Sequence, residues 1–254
     1  MIDLEYGKNE FQNYINKFDK ENSEIKRKID HSYRVMVKSE IIAKSLGLKE
    51  EEVQLAELIG LLHDVGRFVQ RTKYKTQEEQ KHVDHGDLGV EILKSDNYIR
   101  KFIKTDKYDN VIYKAIKNHN KYEIEKNLSK EELEYSKIIR DADKLDIMYQ
   151  VFTIFWKNRE KEVEDGKISD EVYNEFLEKK MIDKKIRNTE IDNLVGFLSF
   201  IFDINYKKSL EYIKEEKYIE KICRKFKFEN EETQTRIYEI EKLSKSYVEE
   251  KIDE

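Results

Sequence analysis

The 254-residue chain contains no proline and only 8 glycines. Average usage would supply roughly a dozen prolines at this length. Both residues break helices and punctuate turns, so their scarcity, beside abundant Lys, Glu, Ile and Leu, argues for long helices. A single cysteine, Cys223, excludes an intrachain disulfide. Long apolar runs are missing too: the longest, at 58–62 and 195–202, are far too short to span a membrane. No basic segment followed by an apolar stretch opens the chain, so no signal peptide is expected and a cytoplasmic location is the default expectation. A broad excess of positive charge is also absent. Charged residues make up 41% of the chain, yet the net charge is −5, with the signs interleaved as on solvated helix faces. Such a surface does not grip a nucleic-acid backbone, whereas a nucleotide-sized anion needs only a local basic pocket.

What is present reads as helix throughout. The pattern predicts an entry helix within residues 1–25, then helices over about 30–46, ended by Gly47, and 49–65, ended by Gly66. Residues 67–83 are polar and read as an irregular loop beside a site. Further helices are expected over 84–94, 109–119 and 129–156, the last opened by Ser129 and Glu132 at capping-box spacing. Beyond residue 160 the segments 169–181, 190–203, 206–226 and 231–250 are amphipathic, rich in Tyr and Phe, and free of histidine. The expected organisation is an all-α core over 1–160 and a helical cap or oligomerisation extension over 161–254, with a soft boundary. Trp156, Phe152, Phe155 and the aromatic run at 197–202 read as packing.

All five histidines lie in the first 119 residues. His31 heads a stripe through Val35, Ser39, Ile42 and Leu46. His63 shares a face with Ala56, Ile59 and Gly60, His85 with Leu88, Gly89 and Ile92, and His119 with Ile112, Ala115 and Ile116. Four helices therefore each point one imidazole toward the buried side. One such histidine is ordinarily a satisfied core residue; four, with carboxylates, fit a metal site built between facing helices. His82 sits in the polar stretch after Glu78 and Glu79 and reads as loop or rim. Asp64 follows His63 directly, and one ion between them is within reach of both. In Arg140-Asp141-Ala142-Asp143-Lys144-Leu145-Asp146, Asp143 shares a face with Tyr135, Ile139, Ala142 and Asp146, which makes it the better ligand. Asp141 falls beside Glu134, Lys137 and Lys144 and looks more solvated; it or Asp146 would orient neighbours. The mixed nitrogen and oxygen set suits Mn²⁺, Fe²⁺, Co²⁺ or Ni²⁺, with Mg²⁺ also admitted.

The order His31, His63-Asp64, Asp143 resembles the HD superfamily of metal-dependent phosphohydrolases. Leu61-Leu62-His63-Asp64-Val65-Gly66-Arg67-Phe68 is similar to that family's central motif, and Ala142-Asp143-Lys144-Leu145 to its last metal-binding motif. The resemblance covers about residues 28–150 and implies an HD-type helical bundle with a C-terminal helical extension. It also implies metal-activated hydrolysis of a phosphate ester or anhydride in a nucleotide or related small molecule. His85 and His119 resemble the added ligands of the binuclear branch, which includes dinucleoside tetraphosphate hydrolases; the HD-GYP subgroup is excluded, since the chain lacks its Gly-Tyr-Pro motif. One ion or two both remain open at this stage. In the one-ion case His85 or His119 would serve substrate or water. Arg67 occupies the place of a phosphate-contacting lysine of many relatives, and Lys144 and Arg34 are further phosphate candidates. Arg71, Lys73 and Lys75 read as loop charges. Two other readings share the ligand set: a di-iron oxygenase, and a non-catalytic metal- or nucleotide-binding module. A homo-oligomer is compatible with the extension.

Overall fold

The structure, a computed structural model, describes residues 2–74 and 82–254. Among the described residues every regular element is a helix, as expected, and no strand occurs. No helix among them is long and apolar enough to cross a membrane. Contacts divide the chain into two compact units, Met1–Asp143 and Lys144–Glu254.

The first unit is built from α1 (Leu4–Ile15), α2 (Ser23–Ser45), α3 (Glu50–Leu62), α4 (Val65–Lys73), α5 (His85–Lys94), α6 (Asp109–Asn118) and the first half of α7 (Lys130–Thr153). Asparagine and aspartate caps start several of them. Asn22 accepts from the amides of Glu24 and Ile25, and Asp84 from those of Gly86 and Asp87. Ser129 and Glu132 form the expected reciprocal cap of α7. Asn22 explains why α2 starts a full two turns before the expected residue 30. At its other end Gly47 takes a left-handed φ of 70°, the conformation that glycine reaches most cheaply.

The second expected glycine terminator has another role. α3 stops at Leu62, His63 and Asp64 form a sharp junction, and Gly66 lies inside α4. A Cβ on Gly66 would sit 2.2 Å from the carbonyl oxygen of His85 and 2.7 Å from the amide nitrogen of Gly89. Gly66 is thus the spacer that lets α4 and α5 touch backbone to backbone. Gly60 plays the same part between α3 and α2, where its Cβ would meet Ser39 Oγ at 2.7 Å and Met36 Cα at 2.9 Å. The start of the expected loop is therefore helix. Phe68 is fully buried against Phe11, Tyr14 and Phe18, and this packing orders the segment despite its polar sequence. Residues 75–81 of that stretch, with Lys75, lie outside the described residues.

Arg140 on α7 is 1% exposed. Its guanidinium donates to the carbonyl oxygens of Asn118 at 3.0 Å, Lys121 at 2.5 Å and Tyr122 at 3.2 Å. Carbonyls at a helix C-terminus have no partner within the helix, so this side chain closes the end of α6 where His119 sits.

The second unit holds the rest of α7 with α8 (Glu160–Glu164), α9 (Asp170–Leu177), α10 (Glu190–Leu198), α11 (Lys207–Glu215), α12 (Tyr218–Cys223) and α13 (Glu231–Asp253). The division falls earlier than residue 160 because C-terminal residues cover the second half of α7. Phe152 packs on Tyr218, and Lys225 donates to the Phe152 carbonyl at 3.0 Å. Trp156, Phe155, Phe197 and Phe200 pack together, as expected for structural aromatics. The helix expected over 206–226 is split at Lys217, which has a φ of 53°. Buried Asp192 accepts from Ser169 N and Oγ, Asn188 N and Thr189 N at 2.6–3.1 Å, joining the starts of α9 and α10.

Two substitutions test these constraints in chemical denaturation. Gly66→Ala is expected to destabilise by about 1–3 kcal/mol or more, because backbone must move to admit the methyl group. Gly89→Ala, whose Cβ would meet only ordinary contacts near 3.4 Å, should cost nothing and gain up to about 1 kcal/mol, because alanine is the better helix former. Equal effects would contradict the spacer role. Arg140→Met should cost about 3 kcal/mol or more, through buried carbonyls left without donors.

Candidate metal centre

The junction between α3 and α4 creates the centre. His63 is the C-cap of α3, and Asp64 adopts φ −105°, ψ 17° as the N-cap of α4. The chain turns there, and neighbouring side chains that would diverge along one helix meet in one pocket. α2 contributes His31, α5 its first residue His85, α6 its C-cap His119, and α7 Asp143. The four imidazoles are at most 7% exposed and Asp64 is 1% exposed.

The ligand atoms crowd together. His31 Nε2 lies 3.2 Å from His63 Nε2, 3.1 Å from Asp143 Oδ1 and 3.5 Å from Asp64 Oδ2. His63 Nε2 is 3.6 Å from Asp64 Oδ2 and 3.7 Å from Asp143 Oδ1. On the other side of the carboxylate, Asp64 Oδ1 lies 3.4 Å from His85 Nε2 and 3.8 Å from His119 Nε2, which are 3.0 Å from each other. Asp64 therefore presents one oxygen to each histidine pair.

Hydrogen bonds from behind decide which nitrogen is bare. His63 Nδ1 donates to the Gly60 carbonyl at 2.7 Å, and His119 Nδ1 to that of Ile116 at 2.6 Å. Each imidazole then offers a lone pair on Nε2 toward the centre. Burial pulls the pKa of His63 down to about 4, against the opposing pull of Asp64 and Asp143, so the ring is neutral at pH 7. Burial lowers His119 in the same way. Burial alone would raise Asp64, but Lys28 and the surrounding imidazoles hold it well below the usual carboxylate range. Asp143 is likewise held low against its burial by His31 and the other histidines. Neutral imidazoles and ionised carboxylates are the protonation states that ligate a cation. Asp64 Oδ1 is also buried without a hydrogen-bond partner, a cost that a cation there would remove. The residues fit a divalent metal ion, and three groups drawn from these six side chains bring their donor atoms within 4.8 Å of one another.

Two cations flank Asp64. Lys28, on α2, donates to Asp64 Oδ2 at 2.6 Å with a side chain 12% exposed. Each carboxylate oxygen has two lone pairs, so an ammonium and an ion can share it. The sequence reading passed over Lys28, although it precedes His31 by three residues and so shares its helical face. Arg67, a predicted phosphate contact, has Nε 3.7 Å from Asp64 Oδ1. Its Nη1 donates to Gln70 Oε1 at 2.6 Å, and Gln70 is anchored on the Val83 carbonyl at 2.6 Å. Arg67 Nε is buried without a hydrogen-bond partner.

The remaining candidates are spread over α2, α4, α7 and the turn before α5. Arg34 is half-buried on α2. Lys144 belongs to the second unit, where its ammonium meets Asp203 at 2.7 Å. Arg71, on α4, pairs with Glu24 at 3.3 Å, and Lys73 ends α4. His82 is exposed in the turn before α5, as a rim residue would be. Asp146 accepts from Gln150 at 2.9 Å. Asp141 departs from expectation: it is fully buried. The face argument presumed a one-sided helix, whereas Arg140, Asp141, Ala142, Leu145 and Asp146 are all at most 1% exposed, so this part of α7 is buried all round.

A search of curated proteins and a search of solved structures returned no match. A family model did match: HD domain, over residues 29–148. That span starts just before His31 and ends just past Asp143, enclosing all six clustered side chains. Residues 29–148 thus match the HD domain family, whose members are in general metal-dependent hydrolases.

Proposed function

We propose that this protein is a metal-dependent phosphohydrolase that cleaves a phosphate ester or anhydride in a nucleotide or similar small molecule. The observation that carries the reading is the spacing of the four donors around one point. Ligands about 2.1 Å from a shared ion stand about 3.0 Å apart at right angles and about 3.4 Å apart in a tetrahedron. His31 and His63 stand 3.2 Å apart, and each lies 3.1–3.7 Å from Asp64 Oδ2 and Asp143 Oδ1. These four would hold the ion, and their donor mixture suits Mn²⁺, Fe²⁺, Co²⁺ or Ni²⁺, with Mg²⁺ admitted. Bound there, a divalent ion supplies Lewis acidity to a phosphoryl group and lowers the pKa of an attacking water.

The chain's own side chains do the rest. Lys28 and Arg67 place two positive charges beside Asp64, where a phosphoryl group would lie. Gln70 holds the Arg67 guanidinium in place, so its free Nε–H is oriented in advance for an anionic oxygen. The local cationic pair, in a chain of net charge −5, selects a small phosphorylated anion over a nucleic-acid backbone. His85 and His119 face the second oxygen of Asp64. In a two-ion form they hold the second ion; in a one-ion form they serve substrate.

Protein reconstituted with Mn²⁺ or Fe²⁺ should release phosphate or a nucleoside product from some member of a panel of nucleotides, dinucleoside polyphosphates and phosphodiesters. His63→Ala and Asp64→Asn should each lower metal affinity and turnover by on the order of 10²-fold or more, since even a residue supporting a ligand costs 10–100-fold. Inertness of the loaded protein across the panel, or oxygen consumption in place of phosphate release, would overturn the reading. Arg67→Gln should leave metal content unchanged and raise KM by roughly tenfold, the worth of one charge-assisted hydrogen bond. A variant with unaltered KM would remove Arg67 from the phosphate site.

A further inference from the structure

Asp84 does more than cap α5. Its Oδ1 accepts from the amides of Gly86 at 2.8 Å and Asp87 at 3.0 Å, which commits the carboxylate as an acceptor. The Lys121 ammonium is 2.7 Å from Oδ2. Asn120, the residue after His119, brings Nδ2 within 3.1 Å of both Asp84 oxygens. An amide oxygen in that place would be repelled by the carboxylate, so the NH₂ end faces it. Asn120 Oδ1 is buried without a hydrogen-bond partner, which leaves the NH₂ end to set the orientation.

The same Nδ2 lies 3.1 Å from His85 Nδ1. An amide NH₂ has two protons, one for Asp84 and one for the ring. His85 Nδ1 is then an acceptor, and a neutral imidazole of that kind carries its proton on Nε2. His119 has the opposite arrangement, with Nδ1–H on the Ile116 carbonyl and a bare Nε2. Their 3.0 Å Nε2–Nε2 contact is accordingly one donor against one acceptor. His85 is thus wired differently from His63 and His119, whose Nδ1 protons are both committed to backbone carbonyls.

We propose that Asn120, oriented by Asp84, fixes His85 as the Nε2–H tautomer, so that its Nε2 offers no lone pair to a second ion. Asn120 and Asp84 are positioning residues in this arrangement, and the centre holds one ion, on His31, His63, Asp64 and Asp143. The tautomer and the ion count stand independently of the phosphohydrolase reading.

The test is a long-range ¹H–¹⁵N spectrum of metal-free wild-type protein carrying ¹⁵N-labelled histidine. His85 should show Nε2–H, with His63 and His119 as Nδ1–H. An Nδ1–H signal for His85 would overturn the proposal. In Asn120→Asp a carboxylate replaces the donor, and His85 should switch to Nδ1–H; a His85 that keeps Nε2–H there would remove Asn120 as the cause. Should that variant not fold, the wild-type spectrum decides alone. Titration with Mn²⁺ should saturate at one ion per chain. Two ions would sink the proposal and leave the phosphohydrolase reading standing, whereas no binding would sink that reading while the spectrum still decided the tautomer.

Discussion

A carboxylate buried among four imidazoles is the feature on which the rest of this structure turns. Asp64 is 1% exposed and ionised. An isolated charge in that environment would be strongly disfavoured. It is sustained by Lys28 at 2.6 Å and by histidine nitrogens on both of its oxygens. One oxygen is nonetheless left without a hydrogen-bond partner. A protein seldom keeps an arrangement so costly to the apo fold without a ligand that benefits from it, and a cation is the ligand that would benefit here.

The scaffold is arranged around that demand. Helices that deliver the ligands approach closely where glycine permits it, at Gly60 between α2 and α3 and at Gly66 between α4 and α5. The rings of His63 and His119 are oriented from behind by backbone carbonyls, and Arg140 secures the end of α6 that carries His119. These contacts hold both rings in one orientation, the condition for a site that binds without reorganising.

Much of this was legible in the chain itself. The absence of proline and the helical period gave the all-α class. The stripes behind His31, His63, His85 and His119 located four inward-facing imidazoles, and the string around His63-Asp64 pointed to the family. The misreadings have physical causes. Gly66 looks like a helix terminator because sequence shows its lack of a side chain but not the backbone 2.2 Å from where a Cβ would be. Asp141 looked solvated because helical-wheel reasoning assumes an exposed face, which this part of α7 does not have. Lys28 was passed over because lysine on a charged helix is ordinarily surface; only the spacing to His31 hinted otherwise. The role of Asn120 depends on three groups from separate places in the chain, and no local pattern encodes it.

The central claim, that histidine and aspartate from four helices share one divalent ion, is tested most directly by electron spin-echo spectroscopy of Mn²⁺ bound to protein with ¹⁵N-labelled histidine. Two coupled imidazole nitrogens, from His31 and His63, are the predicted result. A bound Mn²⁺ with no nitrogen coupling, as for an ion on surface carboxylates, would contradict it.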